Sequence, residues 1–356
     1  MPKPTNKPER SEQTVTPPAR GENGNSPSTA RRRPSGLADV GQPWNGAAVG
    51  GPLMRGSLRI NEPMAGHVSW RTGGTVARAF FPADVADLST FLGRLRPDEP
   101  MLMVGLGSNL LIRDGGFDGT AIFTHGVLDS LRREADGSFY AEAGVAAPRL
   151  ARFVGNQSCA EAEFLAGIPG TVGGALTMNA GCHGGETWRY VERVLMLNRR
   201  GEQIIRSPED FAIGYRHVGL KQASDEVFAG AWLRFPAGDA EVARTRLREL
   251  LERRIATQPL QLPNAGSVFR NPPGDHAARL IEAAGLKGTQ IGGAQVSEKH
   301  ANFIVNPKGA GSASAIEMLI GRVQAEVEEK FGVRLMAEVR ILGEKGSRPG
   351  LHGEGV

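Results

Sequence analysis

A glycine-rich run between two apolar stretches carries the clearest chemical signal in the sequence. Residues 164–181 contain five glycines and one proline. Glycine inside a helix or strand loses backbone entropy and packs nothing, so the run indicates a buried loop that closely approaches a ligand. Thr171 is placed to cap a short helix over 172–178, whose first N–H groups would be free. Because free N–H groups beside glycines bind phosphate, we predict a phosphate loop formed by Ile168, Pro169, Gly170, Thr171, Gly173 and Gly174.

A second glycine-rich segment joins two short apolar runs. It consists of Gly105, Gly107, Ser108, Asn109 and Leu110. A tight hairpin turn explains this segment taken alone, and the missing third glycine and helix exclude the dinucleotide fingerprint. Two such loops in one chain, however, are typical of a pyrophosphate held between two subdomains.

Four further side chains are candidates for chemistry. Ser267 follows small residues and is either exposed to a ligand or part of a polar turn, and the absence of a Gly-x-Ser-x-Gly elbow argues against an acyl-transfer nucleophile. Arg216 follows Tyr215 and reads as a surface residue when taken alone. Glu338 and Arg340 share one face of a predicted strand. That face is by default solvated, but in a cleft the two residues would form a carboxylate–guanidinium pair beside a substrate.

The remaining reactive residues offer little. A lone histidine such as His300 is more often structural than catalytic, and no His, Cys, Asp or Glu cluster has metal-ligand spacing, so no metal is predicted. The two cysteines, Cys159 and Cys182, provide no disulfide framework and favour a reducing compartment.

The elements that must position these residues mix strands and helices without strict alternation, which predicts an α+β fold. Strands are expected at 76–81, 101–104, 110–112, 120–124, 139–143, 191–198, 227–235, 300–305 and 333–342. Helices are expected at 82–95, 148–156, 172–178, 239–255, 275–284 and 314–330. The helix 239–255 should bury Val242, Leu247, Leu250 and Leu251 on one face, and Ser314 and Glu317 have capping-box spacing at the start of the last helix.

The positive charge of the chain is concentrated at the N-terminus. Residues 1–55 hold eight Lys or Arg and four acidic residues, whereas the chain of 356 residues has a formal charge of +4, so residues 56–356 carry no net charge. Nine of the 23 prolines also lie in this segment. Its composition predicts a disordered tail, and without an apolar h-region it is not a secretory signal. A nucleic-acid partner is therefore not expected, and no apolar run reaches membrane-spanning length.

Taken together, these segments resemble the UDP-N-acetylenolpyruvoylglucosamine reductase (UDP-N-acetylmuramate dehydrogenase) family. The resemblance covers residues 58–343 and rests on the order of weak motifs: 70–74, 107–111, 165–181, 214–216, 265–269, 295–297, 300–303 and 338–340. The family implies a vanillyl-alcohol-oxidase-type (PCMH-type) FAD-binding domain in two subdomains, followed by an α+β substrate-binding domain. The expected boundaries are 1–57 for the tail, 58–126 and 127–257 for the FAD subdomains, 258–345 for the substrate domain and 346–356 for a flexible end.

The resemblance also implies roles for single residues. Arg216, Ser267 and Glu338 match the catalytic trio, and both glycine-rich loops match the FAD pyrophosphate cradle. Tyr215, Arg216, Asn271, His300 and Arg340 match substrate-binding positions. Only about fifty residues separate Arg216 from Ser267, which leaves no room for the tyrosine-bearing loop of one family type, so the chain resembles the shorter type with Gln258-Pro259-Leu260.

The implied activity is NADPH-dependent reduction of UDP-N-acetylglucosamine enolpyruvate through FAD, by a cytoplasmic monomer. Two alternatives are another FAD oxidase of this fold acting on a small alcohol or lactone, and a non-catalytic regulator that keeps the fold. Such oxidases often tether FAD through His or Cys, and neither predicted phosphate loop contains a histidine. Joint retention of the trio argues against the regulator.

Overall fold

The computed structural model describes residues 53–346. The predicted tail therefore lies almost wholly outside the described residues, as does most of the predicted C-terminal end. The α-helices in the described part are α1 (Val85–Leu92), α2 (Ala147–Gly155), α3 (Val172–Met178), α4 (Ala240–Thr257), α5 (Ala277–Ala283) and α6 (Ala313–Phe331). The strands there are β1 (Ser57–Pro63), β2 (Thr75–Phe81), β3 (Met101–Val104), β4 (Leu110–Ile112), β5 (Phe117–Phe123), β6 (Leu131–Arg133), β7 (Phe139–Glu142), β8 (Gly181–Cys182), β9 (Gly185–Glu186), β10 (Val191–Asn198), β11 (Gln203–Arg206), β12 (Phe211–Gly214), β13 (His217–Leu220), β14 (Glu226–Leu233), β15 (Gln290–Ile291), β16 (Ala294–Val296), β17 (Ile304–Val305) and β18 (Arg340–Leu342).

A four-stranded mixed sheet of order β1-β2-β5-β3 forms the first layer. β1 is antiparallel to β2, whereas β5 runs parallel to both β2 and β3. Asp84 caps helix α1 by accepting a hydrogen bond from Asp87 N through its carboxylate. The helix packs on the sheet through the stacked rings of Phe80 and Phe91. The sheet thereby holds the segment after β3, which is the predicted glycine-rich loop at residues 105–110.

A five-stranded antiparallel sheet of order β11-β10-β14-β7-β6 forms the second layer. Helices α2, α3 and α4 contact this layer or each other around one apolar core. The predicted buried face of α4 is correct for Leu250, which is buried, and for the partly buried Leu247 and Leu251. It is wrong for Val242, which is 67% exposed, because the neighbouring Ala243 is the residue of that turn that faces inward and is buried.

The third region surrounds α5, α6 and the small sheet β15-β16-β17, with its own apolar core. The predicted strand 300–305 is reduced to β17. The predicted strand 333–342 is wrong over most of its length. Ala337 forms an isolated antiparallel bridge with Phe269, and only β18 pairs as a strand, in parallel with β4. This pairing brings the C-terminal segment next to the glycine-rich loop at residues 105–110.

The predicted capping box of the last helix is also wrong. Ser312, not Ser314, caps α6 by accepting a hydrogen bond from Ala315 N at 3.1 Å. Glu317 instead forms an ion pair with Arg113, with Arg113 Nε 2.9 Å from its carboxylate. Among residues 53–346, no helix is both long and apolar enough to cross a membrane.

Candidate active site

The predicted loops and the predicted trio line one cavity of about 740 Å³. Residues 105–110, 167–171, 173 and 174 form part of its wall. Arg216, Ser267 and Glu338 contribute to the same lining. The structure therefore brings together residues that lie up to 233 positions apart in the chain, from Gly105 to Glu338. Its volume is within the range of about 300–1,000 Å³ typical of ligand pockets.

The two glycine-rich loops contact each other directly. A Cβ atom on Gly105 would lie 2.4 Å from Thr171 Oγ1, and one on Gly170 would lie 3.6 Å from Ser108 Oγ. Gly173 also packs closely, because an added Cβ would lie 2.9 Å from the Cβ of Ala143. Gly105 and Gly173 are thus required by protein packing around the cavity rather than by a ligand alone.

The predicted cap of α3 is confirmed, since Thr171 Oγ1 accepts a hydrogen bond from Gly174 N at 3.4 Å. The expectation of free N–H groups behind it is wrong. Val172 N donates to Val145 O at 2.8 Å and Gly173 N donates to Ala143 O at 2.9 Å. The strand-like pairing of this segment with residues 143–147 uses the amides that the helix start would have offered.

Free amides instead occur in the glycine-rich loop at residues 105–110. Within residues 53–346, the backbone N–H groups of Gly107, Ser108 and Asn109 make no hydrogen bond. Gly107 has a φ of +60°, a left-handed conformation that places successive N–H groups on one side of a turn. Three adjacent donors of this kind form an anion-binding concavity, which fits the diphosphate of a dinucleotide cofactor such as FAD.

Arg216 occupies a two-residue hairpin turn between β12 and β13. Its φ is +53°, which is uncommon for a side-chain-bearing residue and typical of strained functional positions. Its Nη2 donates to Gly181 O at 2.8 Å and its Nη1 donates to Asn179 O at 3.4 Å. These carbonyls follow the end of α3, so the guanidinium is held by backbone oxygens and can still meet an anion in the cavity.

Glu338 lies next to Arg216. Arg216 Nε is 3.0 Å from Glu338 Oε1, although its N–H is not aligned for a hydrogen bond. Burial raises the pKa of the Glu338 carboxyl, and the positive charges of Arg216 and Arg270 oppose this rise. Glu338 also anchors the first loop, because its carbonyl accepts a hydrogen bond from Asn109 Nδ2 at 3.2 Å. This contact was not predicted from the sequence, since neither residue carries a local signal of the other.

Ser267 lies in a turn that is fixed on both sides. Gly266 N donates to Asn264 Oδ1 at 2.9 Å, and Val268 N donates to Asn302 O at 2.9 Å. Val268 O in turn accepts a hydrogen bond from Glu338 N at 2.7 Å, which ties this turn to the segment that carries Glu338. Among the described residues the Ser267 hydroxyl has no hydrogen-bond partner, so it is available to a bound molecule.

The predicted substrate-binding residues separate into two groups. Arg340 lines the cavity, whereas Tyr215, Asn271 and His300 do not. Tyr215 is 49% exposed and lies against Arg216, with the guanidinium carbon 5.1 Å from its ring centre. Asn271 Oδ1 instead accepts a hydrogen bond from Ala277 N at 3.1 Å, at the start of α5.

The His300 ring accepts a hydrogen bond from Asn302 N at 3.3 Å and contacts the ring of Phe303, which does line the cavity. Burial lowers the pKa of His300, so the ring is predominantly neutral at pH 7.

One cation near the site was missed from the sequence. Arg270 has a buried Nε with no hydrogen-bond partner among the described residues. Its backbone N–H donates to Met336 O at 2.9 Å, which places it across from the segment that carries Glu338. The only available signal was its position between Ser267 and Asn271 in the motif.

Two family models match the chain. One, described as an FAD binding domain, matches residues 76–206, and the other, UDP-N-acetylenolpyruvoylglucosamine reductase, C-terminal domain, matches residues 258–342. A UDP-N-acetylenolpyruvoylglucosamine reductase of Thiobacillus denitrificans is 53% identical over 307 residues, which are 83% of this chain and 94% of that protein. The chain belongs to the UDP-N-acetylenolpyruvoylglucosamine reductase family.

A second relative in this family, from Alkalilimnicola ehrlichii, is 56% identical over 292 residues, covering 82% of this chain and 97% of the relative. The crystal structure of UDP-N-acetylenolpyruvylglucosamine reductase from Thermus caldophilus matches with a TM-score of 0.68 at 28% identity. That match covers 81% of this chain and 99% of the other. The predicted α+β fold, with an FAD-binding domain followed by a reductase C-terminal domain, is confirmed, and so are FAD as cofactor and the oxidoreductase class.

Proposed function

We propose that the chain reduces the enolpyruvyl double bond of UDP-N-acetylglucosamine enolpyruvate, with NADPH as reductant, to form the peptidoglycan precursor UDP-N-acetylmuramate. Family membership supports the reaction. The observation that carries the assignment of residues is the convergence of Arg216, Ser267 and Glu338 on the cavity that the glycine-rich loops line. The cofactor would lie against the amides of Gly107, Ser108 and Asn109, and when bound it supplies the hydride that the methylene carbon of the substrate receives.

Arg216 stabilises the negative charge that develops on the substrate. When the methylene carbon gains a hydride, charge spreads over the neighbouring carbon and its carboxylate. A guanidinium matches a carboxylate by two parallel N–H···O bonds, and such pairs are strong where water is excluded. The carbonyl oxygens of Asn179 and Gly181 already orient Arg216, so little reorganisation is needed during the reaction.

Glu338 positions Arg216 and balances its charge before the substrate arrives. The ion pair at 3.0 Å fixes Nε of the guanidinium and leaves its outer nitrogens turned toward the Asn179 and Gly181 carbonyls and the cavity. Burial raises the pKa of Glu338, and Arg216 opposes this rise. The carboxyl thereby responds to the charge of the bound molecule more readily than an exposed glutamate would.

Ser267 donates the proton that completes the reaction. Its hydroxyl is without a partner among the described residues and lies in a turn tied to the segment of Glu338. Proton transfer to the carbanionic carbon breaks the Ser267 O–H bond and forms the new C–H bond, after which solvent restores the serine proton. A positioned acid of this kind contributes about 10²- to 10⁴-fold to the rate.

The substrate assignment is tested by the oxidation of the reduced protein. The purified protein should be yellow, with close to one bound flavin, and should bleach when NADPH is added without oxygen. UDP-N-acetylglucosamine enolpyruvate should restore the colour much faster than oxygen does. Faster recovery with oxygen would favour an oxidase of the same fold, and a colourless protein that does not take up FAD would favour a regulator.

We further propose a cytoplasmic monomer with domain boundaries near residues 58, 127 and 258. The two cysteines are both free thiols in the structure, as a reducing compartment allows. The described residues form four apolar cores. The buried residues of two cores lie within 127–257 and 58–126, those of a third lie mostly within 258–345, and the fourth core joins the first two ranges. The first three cores and the positions of the two family-model matches support a division of this kind. Sedimentation of the flavin-loaded protein would test the oligomeric state.

A further inference from the structure

A buried side-chain amide, that of Asn302, holds the segment that follows Ser267. Asn302 lies between β16 and β17 and is only 4% exposed. Its Oδ1 accepts a hydrogen bond from Phe269 N at 2.9 Å, and its Nδ2 donates to Phe269 O at 2.8 Å. We propose that Asn302 is a positioning residue, which fixes the hydroxyl of Ser267 where the reaction requires a proton. The inference rests on the proposed function, in which Ser267 is the proton donor.

The backbone of Phe269 has no other partner for the groups that Asn302 binds. Phe269 forms an isolated antiparallel bridge with Ala337. The two hydrogen bonds of this bridge join the residues on either side of the pair and not the pair itself. In a pair of this type, the N–H and C=O groups of the two opposed residues point away from each other's strand. Asn302 therefore takes the place that a second neighbouring strand would have.

The segment 268–270 is thus held from two sides. On one side lies the segment that carries Glu338, whose N–H donates to Val268 O at 2.7 Å. On the other side, Asn302 binds Phe269 through its side chain and accepts a hydrogen bond from Val268 N at 2.9 Å through its backbone carbonyl. Ser267 directly precedes this segment, and its hydroxyl has no partner among the described residues. The position of that hydroxyl therefore depends on the backbone that Asn302 holds.

Asn302 is itself fixed by the turn in which it lies. Its N–H donates to His300 Nδ1 at 3.3 Å, and the N–H of the next residue, Phe303, donates to His300 O at 3.0 Å. Phe303 O accepts a hydrogen bond from Ser297 N at 2.8 Å. Phe303 is buried and lines the cavity. The amide of Asn302 is thus held by a turn that forms part of the cavity wall.

A purely structural role is the simpler explanation, since buried backbone groups need hydrogen-bond partners. Asn306 provides a comparison in the same part of the chain. It is 0% exposed, its Nδ2 donates to Trp70 O at 2.9 Å, and its Oδ1 accepts from Gly311 N at 2.7 Å. Asn306 does not line the cavity, and its side chain holds Trp70 and Gly311 rather than the segment 268–270. Positioning of Ser267 predicts a kinetic difference between the two asparagines, whereas a structural role predicts none.

The test compares Asn302→Ala with the matched control Asn306→Ala, both loaded with FAD. Both changes should lower the urea midpoint, because each leaves buried backbone groups unpaired. Both variants should be reduced by NADPH at close to the wild-type rate. When saturating UDP-N-acetylglucosamine enolpyruvate is then added without oxygen, Asn302→Ala should form product about 10- to 100-fold more slowly than wild type, and Asn306→Ala within about twofold of it, because a small displacement of a reacting group has an effect of this size. The substrate concentration that gives half the maximal rate should be unchanged in both variants.

The double variant Asn302→Ala/Ser267→Ala separates positioning of Ser267 from a general disturbance of the site. If Asn302 acts through Ser267, the double variant should form product as slowly as Ser267→Ala alone. A further slowing by about tenfold or more would contradict an action through Ser267.

The remaining outcomes are also decisive. Equal rates of product formation in Asn302→Ala and Asn306→Ala would overturn the proposal while leaving the proposed function intact. Asn302→Ser, which keeps one hydrogen-bonding group, replaces Asn302→Ala if the latter does not bind flavin. Loss of flavin binding in both Asn302 variants but not in Asn306→Ala would assign Asn302 to folding and overturn the proposal. A wild-type rate in Ser267→Ala would instead contradict the proposed role of Ser267, and the proposal would fail with it.

Discussion

The contact between the two glycine-rich loops makes Gly105→Ala the most informative steric change. The added Cβ would lie 2.4 Å from Thr171 Oγ1 and 3.2 Å from Thr171 Cγ2, so Thr171 has to move. Moving it breaks the cap of α3 at a cost of about 1 kcal/mol, and residual overpacking adds about 1–3 kcal/mol. The total of about 2–4 kcal/mol corresponds to a loss of about 30- to 1,000-fold in FAD affinity, if the loops separate in the protein without cofactor.

Titration of the flavin-free protein with FAD, followed by flavin fluorescence, measures this loss, and urea unfolding measures any part that appears as lower stability. Gly66→Ala is the control, because a Cβ there meets nothing within 4 Å. The double variant Gly105→Ala/Thr171→Ala removes both close atoms and leaves only Cβ, at 3.4 Å. The free energy that the double variant loses, in FAD binding and stability together, should be about 1–3 kcal/mol smaller than the sum of the losses of Gly105→Ala and Thr171→Ala. Additive effects, or a Gly105→Ala protein that binds FAD and unfolds like the control, would refute the steric reasoning.

Three further predictions concern single side chains. Glu338→Gln should gain stability relative to wild type as the pH rises from 4 to 7. The raised pKa of Glu338 means that the wild-type native state binds this proton more tightly than the unfolded state does, and it loses that stabilisation when the carboxyl ionises. A difference between the urea midpoints of variant and wild type that stays constant or falls with pH would contradict this. Burial raises the pKa of Cys182 to about 11, so only about a thousandth of this thiol is the reactive thiolate at pH 8, and iodoacetamide should modify it slowly. Modification at the rate of a free thiol, measured by peptide mapping, would be inconsistent with the buried environment. Asn271→Ala should lower the free energy of unfolding by about 1 kcal/mol, because the hydrogen bond to Ala277 N is lost. An additional rise in KM for the nucleotide sugar would support the substrate role that the family resemblance predicts. Unchanged stability and unchanged KM would exclude both the capping contact and the substrate role.

Local signals in the sequence predicted the elements that depend on neighbouring residues. The cap of Thr171 on α3 and the start of α4 at Asp239 are confirmed, since each involves contacts within three residues. The β10 strand at residues 191–198 is also confirmed. These elements depend on strong short-range patterns, and tertiary contacts do not override them.

Errors occur where distant segments decide the outcome. The amides at the start of α3 were expected to be free, but Val145 and Ala143 accept them through a pairing that no local pattern reveals. Glu338 was placed within a ten-residue strand. The segment instead makes one isolated bridge, between Ala337 and Phe269, and becomes a strand only at Arg340, where β4 provides a partner. Propensity alone does not indicate which part of an apolar segment finds a neighbouring strand.

The composition of the site was predicted better than its internal contacts. The trio and both loops do line one cavity. The hydrogen bond from Asn109 Nδ2 to the carbonyl of Glu338, and the buried Arg270 beside that segment, came only from the structure. Both link residues that are far apart in sequence or carry no distinctive spacing.

The role of Ser267 as proton donor is the central chemical claim, and single-turnover kinetics of Ser267→Ala test it directly. The variant, loaded with FAD, should be reduced by NADPH at close to the wild-type rate, because Ser267 takes no part in that half-reaction. When UDP-N-acetylglucosamine enolpyruvate is then added without oxygen, formation of UDP-N-acetylmuramate should be slower than wild type by about 10²- to 10⁴-fold. Product formation at the wild-type rate would contradict the assignment of Ser267 as the proton donor.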